Sequence, residues 1–423
     1  MAKAIIKPVF TESGRRLSGV IRAVSSKSYA HRFYIAAALA NADTQVICND
    51  ISEDIEATRD CVNGLKSLKR AREALAGEFL SSDESVLIHC RESGSTLRFL
   101  LPVAAALLEN ESSFKFTGTG NLPERPIGEL MDVLSWKSVE FSSEKLPFSV
   151  SGKLRSGDFK ISGNISSQYI SGLLLALPLL KGDSRIILEN KQIQSESYVE
   201  ITRDVLRRFG ILTMRTEYGY YVKGSQTYKS PGRIEVEGDW SNAAFFYAAN
   251  KLGSSVELTG LNHNSNQGDM KIVKLLENWG EPEFKNDEFD MVIDLTDIPD
   301  LFPILAVVAA FQPGTTVFKN VERLKLKESD RIESTKAMLI SLGLWRNGFE
   351  LFKNSLVIEG GFEYLKGGIV KSFNDHRIVM AAAIAATRCK GPTVIEGCEA
   401  VKKSYPRFFE DYKKLGGDVV VSL

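Results

Sequence analysis

The chain is poor in the residues that build metal centres and disulfide frameworks. It has five cysteines, Cys48, Cys61, Cys90, Cys389 and Cys398, an odd number with no Cys-x-x-Cys pair. That spacing argues against a zinc ribbon or a disulfide scaffold and favours buried, reduced thiols. The four histidines, His31, His89, His263 and His376, are scattered, so no metal and no cofactor is expected. Charge of one sign is lacking too: 53 Lys and Arg balance 53 Asp and Glu, which disfavours non-specific nucleic-acid binding. The longest apolar runs, such as Leu173 to Leu180 and Leu301 to Phe311, are too short to span a bilayer. No signal-peptide core precedes Pro8, and a cytoplasmic location is expected. No Gly-rich Walker loop precedes Lys27, which disfavours a kinase.

What is present is a pattern that recurs six times: an apolar helix, a small turn, a β-branched strand, a loop and an amphipathic helix. The turn-plus-strand pieces begin at Asp43, Ser112, Asp183, Ser254, Gly314 and Gly391. The unit is roughly seventy residues long, beyond the usual solenoid periods. In a chain of 423 residues, two groups of three units would each be large enough for a core.

The apolar helices are expected over Ala30 to Ala40, Leu97 to Leu108, Tyr169 to Leu180, Ala243 to Lys251, Leu301 to Phe311 and Ile378 to Thr387. Each is preceded by Ser, Thr, Asp or Asn, whose oxygens cap free backbone N–H groups. Caps do not explain Lys27, Arg32, Arg98 and Arg377, because cations are disfavoured at the positive end of a helix. Basic side chains beside free N–H groups make sites for phosphate and carboxylate. Runs such as Met380 to Ala386 lack a polar face, so these helices are expected inside, with sheets outside them.

The second helices, Ile55 to Leu68, Ile127 to Leu134, Tyr198 to Phe209, Met270 to Trp279, Ile332 to Leu342 and Tyr405 to Leu415, are amphipathic. Four are closed by Gly210, Gly280, Gly343 and Gly416, where glycine suits a left-handed C′ position. The loops before three of them add Arg125, Lys327, Arg331 and Lys403 as anion ligands and Glu328 as a carboxylate among them.

Seven motifs then stand in order. They are Ser26-Lys27-Ser28 with Arg32, Gly94-Ser95-Thr96-Leu97-Arg98, Glu124-Arg125-Pro126-Ile127-Gly128 and Ser166-Ser167-Gln168-Tyr169. Ile298-Pro299-Asp300, Lys327-Glu328-Ser329-Asp330-Arg331 and Asn374-Asp375-His376-Arg377 complete the set. Over essentially the whole chain, Lys27 to Lys403, this set resembles the 5-enolpyruvylshikimate-3-phosphate synthase family. The resemblance implies an α/β fold of two inside-out domains, each of three repeated βαβαββ-type units with buried helices and outer sheets. It implies a discontinuous domain of residues 1–19 and 237–423, carrying mainly phosphoenolpyruvate-side residues. Residues 20–236 would form an inserted domain carrying mainly shikimate-3-phosphate-side residues, with the active site in the cleft between the two.

The chemistry implied is transfer of the enolpyruvyl group of phosphoenolpyruvate to the 5-hydroxyl of shikimate 3-phosphate. It would run through a tetrahedral intermediate, with phosphate leaving, in a monomer with no partner but its two substrates. By motif, Lys27, Ser28, Arg32, Ser166, Ser167, Gln168, Ser195, Tyr198, Asp300 and Lys327 would hold shikimate 3-phosphate, Arg32 on its carboxylate. Lys27, Gly94, Arg125, Gln168, Arg331, Arg377 and Lys403 would hold phosphoenolpyruvate. Asp300, Glu328 and Lys27 would share the proton transfers, Asp300 taking the hydroxyl proton and Glu328 protonating the methylene.

Some positions depart from the common pattern. Many relatives read Asn-Ala-Gly-Thr where this chain has Glu92-Ser93-Gly94-Ser95, though Gly94 itself is kept. Lys402 and Lys403 are adjacent, so either fits the last basic position, and His31 and His376 read as packed structural histidines. The alternative is UDP-N-acetylglucosamine enolpyruvyl transferase, which typically carries a Cys in the loop before its Arg-Pro pair. Here that loop, Gly118 to Arg125, has none.

Overall fold

The computed structural model describes residues 1–8, 17–74, 86–108, 112–163, 166–190, 193–285 and 289–422, with the backbone alone for 66–74. The chain forms two units, one of Met1–Ser25 with Glu237–Leu423 and one of Ser26–Val236. The first crossing thus falls at 25/26, not at 19/20, because β2 (Ser18–Arg22), which follows β1 (Lys3–Ile6), runs on and pairs outside the inserted segment.

The inserted unit opens with α1 (Lys27–Leu39), β3 (Gln45–Ile47), α2 (Glu53–Ala74), β4 (Val86–His89), α3 (Gly94–Leu107) and β5 (Phe114–Thr117). It continues through α4 (Gly128–Ser135), β6 (Val139–Phe141), β7 (Phe148–Gly152), β8 (Gly157–Ile161) and α5 (Ser167–Ala176). It closes with β9 (Ser184–Leu188), α6 (Glu196–Arg208), β10 (Thr213–Thr216), β11 (Gly219–Val222) and β12 (Arg233–Glu235). The other unit resumes with α7 (Trp240–Lys251), β13 (Ser255–Thr259), α8 (Lys271–Glu277), β14 (Met291–Asp294), α9 (Phe302–Phe311) and β15 (Thr315–Lys319). Then come α10 (Arg331–Leu342), β16 (Phe349–Phe352), β17 (Ser355–Glu359), β18 (Gly368–Lys371) and α11 (His376–Ala386). The last elements are β19 (Thr393–Glu396), α12 (Phe408–Lys414) and β20 (Val419–Ser422).

Four sheets share one design: β4-β5-β7-β6, β8-β9-β11-β10, β14-β15-β17-β16 and β18-β19-β1-β20. In each, the first two strands are parallel and the remaining pairings are antiparallel. A parallel pair needs a crossover, and the apolar helices α3, α5, α9 and α11 supply it. Two further parallel pairs have exchanged partners: β2 pairs with β13 and β12 with β3, although α1 lies between β2 and β3 and α7 between β12 and β13.

Every residue of α9 and α11 is buried, and α7, α9 and α11 pack on one another. Each fully buried Phe, Ile, Leu or Val contributes roughly 1.5–3 kcal/mol. The strands alternate, as in β1, where Ala4 and Ile6 face inward while Lys3 and Ile5 face solvent. In the inserted unit α3 and α5 make the closest helix pair, and two residues explain it. Pro102 inside α3 has no N–H to give the Arg98 carbonyl four residues earlier. Gly172 of α5 sits against that carbonyl, where an added Cβ would lie 2.3 Å from the oxygen.

Most of the apolar helices begin two or three residues earlier than the hydrophobic pattern suggests. Lys27, Gly94, Ser167, Trp240 and His376 are already first-turn residues, because a polar first turn belongs to the helix it starts. Phe302 is the exception, with a 3-10 turn over Pro299–Leu301 before it. The expected helix from Tyr405 begins at Phe408. Gly210, Gly280, Gly343 and Gly416 all have positive φ, as helix-closing glycines should. The Leu68 side chain, at the expected end of the second helix, lies outside the described residues.

Candidate active site

In the inserted unit, helix starts bring polar groups together. Ser93 Oγ accepts from the Thr96 backbone N–H and Ser166 Oγ from that of Gln168, which caps α3 and α5. Lys27, in the first turn of α1, reaches Asp54 of α2 at 2.8 Å. The Arg98 guanidinium donates to Gln168 Oε1 at 2.7 Å and to the Pro126 carbonyl at 3.0 Å. Gln168 donates from Nε2 to Ser95 Oγ at 2.8 Å, so its amide is held at both ends. Tyr169 lies under the Arg98 guanidinium and donates to the same Pro126 carbonyl. Gly94 faces Arg125 directly: a Cβ there would lie 2.7 Å from one guanidinium nitrogen. A side chain at Gly94 would shift the Arg125 guanidinium from this position.

Arg32 is placed differently from its neighbours. Its guanidinium donates to Thr202 Oγ1 (2.6 Å), the Ser28 carbonyl (2.7 Å), the Tyr198 carbonyl (2.9 Å) and Ser171 Oγ (3.3 Å). It also lies over the Phe99 ring. Burial lowers its pKa to about 9. A substrate carboxylate would have to replace one of these neutral acceptors. Ser195, at the start of α6, is buried in a left-handed conformation at φ 58°. Ser28, Ser166 and Gln168 are half-buried and Ser167 is buried.

The other unit builds a charge-dense cluster. Asp300, in the turn before α9, accepts from Arg331 (2.6 Å), Arg377 (3.0 Å) and Lys327 (3.3 Å). Burial pushes its carboxyl up, but Arg377, Lys327 and Arg331 together hold it well below the usual carboxylate range. Arg331, only 1% exposed, also bonds Glu328 at 2.6 Å and Asp375 at 2.9 Å. Burial disfavours its charge, yet Asp375, Glu328 and Asp300 raise its pKa well above normal. Burial lowers Lys327, with Asp300 opposing. Asp375 does double duty, capping α11 through the Arg377 N–H while holding Arg331. Lys403 is buried and donates to the Asn374 carbonyl at 2.9 Å, whereas Lys402 is exposed, which distinguishes the two. Asp269, buried beside this cluster, accepts from Ser241; burial and the charge of Asp300 push its pKa up to about 7.

The structure therefore gathers Asp300, Lys327, Glu328, Arg331, Arg377 and, beside their loop, Lys403 in one unit. In the other it gathers Lys27 with Asp54, and Gly94, Arg125 and Gln168 with Arg98. Asp54, Asp269 and the bonding role of Asp375 escape sequence reasoning. Asp375 stands inside a recognisable motif, but as a cap; nothing in the local sequence marks Asp54 or Asp269 as partners of distant cations. Among the described residues no group of His, Cys, Asp and Glu has the arrangement of a metal site, and no helix is long and apolar enough to cross a membrane.

Comparison with known proteins identifies the family. The profile of EPSP synthase (3-phosphoshikimate 1-carboxyvinyltransferase) matches residues 11–412. The 3-phosphoshikimate 1-carboxyvinyltransferase of Clostridium perfringens is 39% identical over 437 aligned residues, covering 99% of each chain. That of Clostridium acetobutylicum is 41% identical over 422, covering 95% of this chain and 96% of its own. The fold superposes on the solved EPSP synthase of Acinetobacter baumannii with a TM-score of 0.77 over 100% of both chains, at 21% identity. The buried helix starts, their basic side chains and these full-length likenesses together place the chain in the EPSP synthase (3-phosphoshikimate 1-carboxyvinyltransferase) family.

Proposed function

We infer that the two clusters carry out the carboxyvinyl transfer for which the family is named. The donor is phosphoenolpyruvate, the acceptor is the 5-hydroxyl of shikimate 3-phosphate, and the reaction proceeds by addition to a tetrahedral intermediate followed by loss of phosphate. The observation that supports this best is Asp300 held ionised among Lys327, Arg331 and Arg377, with Glu328 on the same arginine. A carboxylate that depressed is a weak base on its own. When Arg331 and Arg377 turn to the anionic groups of phosphoenolpyruvate, Asp300 loses cationic partners and its proton affinity rises as the hydroxyl arrives. Glu328, released from Arg331 in the same step, takes up a proton and delivers it to the methylene carbon. Lys27, tethered by Asp54, serves both substrates and relays protons.

Gly94, Arg125 and Gln168 join Arg331, Arg377 and Lys403 in binding phosphoenolpyruvate. Ser28, Arg32, Ser166, Ser167, Gln168, Ser195, Tyr198, Asp300 and Lys327 bind shikimate 3-phosphate. Preorganised donors at helix starts stabilise charge as it develops in the transition state. We read each unit as three repeats of one βαβαββ-type element, and the enzyme as a cytoplasmic monomer. A phosphate-release assay with each acceptor in turn is the test. Turnover with shikimate 3-phosphate is expected; turnover with UDP-N-acetylglucosamine in its place would overturn the assignment.

A further inference from the structure

A chain of four buried side chains in the inserted unit touches none of the groups assigned above, yet it links three of the helix starts that carry them. His31 Nδ1 lies 2.6 Å from Thr58 Oγ1, and Thr58 Oγ1 lies 2.6 Å from Thr96 Oγ1. The Thr96 hydroxyl donates to Ser93 Oγ at 2.7 Å, and Ser93 Oγ also accepts the Thr96 backbone N–H. All four residues are at most 1% exposed.

The chain has a direction. Thr96 has one hydroxyl proton and gives it to Ser93, so Thr58 must donate to Thr96. The Thr58 oxygen then accepts from His31 Nδ1–H. His31 is thus the Nδ1–H tautomer with a bare Nε2, and Nε2 is buried without a hydrogen-bond partner. Burial and the neighbouring Lys27 and Arg32 charges keep the ring neutral, as this polarity requires.

Its placement explains what it does. His31 lies one turn beyond Lys27 on α1, and Thr58 lies one turn beyond Asp54 on α2. Lys27–Asp54 and His31–Thr58 are therefore two rungs between the same helices. Thr58 passes the second rung on to α3, whose first turn holds Gly94 and Ser95, the residue that anchors Gln168. A methyl group cannot replace a hydroxyl that both accepts and donates, because two buried partners would be left unsatisfied. We propose that Thr58 is a positioning residue for the phosphoenolpyruvate-binding start of α3, setting it relative to Lys27 through the directed chain His31–Thr58–Thr96–Ser93. This rests on the assignment of Gly94 to phosphoenolpyruvate.

Steady-state kinetics of Thr58→Val and Thr58→Ser test it, after turnover by the unaltered protein has tested the assignment itself. Thr58→Val should raise KM for phosphoenolpyruvate about tenfold and change kcat and KM for shikimate 3-phosphate less than about threefold, while Thr58→Ser stays within about twofold of the parent. Unchanged KM values, an equal rise in both, or failure of Thr58→Ser to rescue would each overturn it. If Thr58→Val does not fold, His31→Asn (which keeps a donor near Nδ1) and His31→Leu read the same rung from its other end. Nitrogen NMR of the four labelled histidines gives a readout independent of turnover: an Nε2–H form of His31 would break the chain's direction and the proposal with it.

Discussion

The two units hold the arginines at their buried helix starts in opposite ways. In the unit of Met1–Ser25 and Glu237–Leu423, Arg331 and Arg377 are neutralised by carboxylates, Asp300, Glu328 and Asp375 among them. In the inserted unit, Arg32 gives its hydrogen bonds to hydroxyls and carbonyls, and Arg98 bonds an amide oxygen and a carbonyl. Neutral acceptors satisfy donors without cancelling charge, so Arg32 and Arg98 keep theirs, while Lys27 is answered by a carboxylate, Asp54. On the proposed function, the other unit must first trade internal carboxylates for substrate groups, and that trade would turn Asp300 from spectator to base. On the proposed function the carboxylate cluster would serve both folding and chemistry, whereas Arg125 would serve chemistry alone.

That contrast can be broken at several points. The largest effect is expected from Lys27→Met and Arg125→Ala, which should each lower kcat/KM by at least about a hundredfold, by loss of charge stabilisation, with thermal stability nearly unchanged in Arg125→Ala. A large fall in melting temperature in Arg125→Ala would erase the distinction. Asp300→Asn should lose activity and also cost about 3–5 kcal/mol in denaturant unfolding, since it strands buried cations. Gly172→Ala should destabilise the inserted unit by about 1–3 kcal/mol, because its Cβ would strike the Arg98 carbonyl; normal stability with normal kinetics would show that the close α3–α5 approach is dispensable.

The pH dependence sharpens the comparison further. The folded pKa of Asp269, about 7, lies above its unfolded value near 4, so the folded state holds a proton that the unfolded state releases between those values. Stability should fall as pH rises across that window, and Asp269→Asn should remove the fall. Asp300 has the opposite sign: its depressed carboxyl stabilises the fold above about pH 4, and that contribution is lost on acidification through its lower folded pKa. Urea unfolding from pH 4 to 8, for the parent and Asp269→Asn, would read the first effect; parallel curves would refute it. The smallest effect is expected from a chelator, which should leave activity unchanged.

Much of this was legible in the chain itself. Helices without a polar face, positive-φ glycines closing the second helices and cations at helix starts all follow from local chemistry. The sequence pattern also pointed to the basic side chains, because a cation at the positive end of a helix has no purely local justification. It could not show which carboxylates answer them. Asp54 and Lys27 are 27 residues apart and Asp375 and Arg331 are 44 apart, and such pairings arise only when helices pack. It also set the polar first turns just ahead of the helices they belong to, since hydrophobic periodicity starts only where burial does. The exchanged strands β2 and β12 left no local trace, because β-branched segments pair equally well with either neighbour.

The position of β1 bears on how the chain matures. Lys3 pairs with Ser422, and β1 lies between β19 and β20 as an interior strand of the last sheet. Ser26–Val236 is a continuous segment with its own core and can fold as soon as it leaves the ribosome. The sheet around β1 has no such freedom: β1 must wait for β19 and β20, which follow the whole inserted unit in the chain. A nascent chain stalled between Val236 and β19 should therefore carry one finished unit and one whose β1 strand is still seeking its partners, a slow, long-range closure.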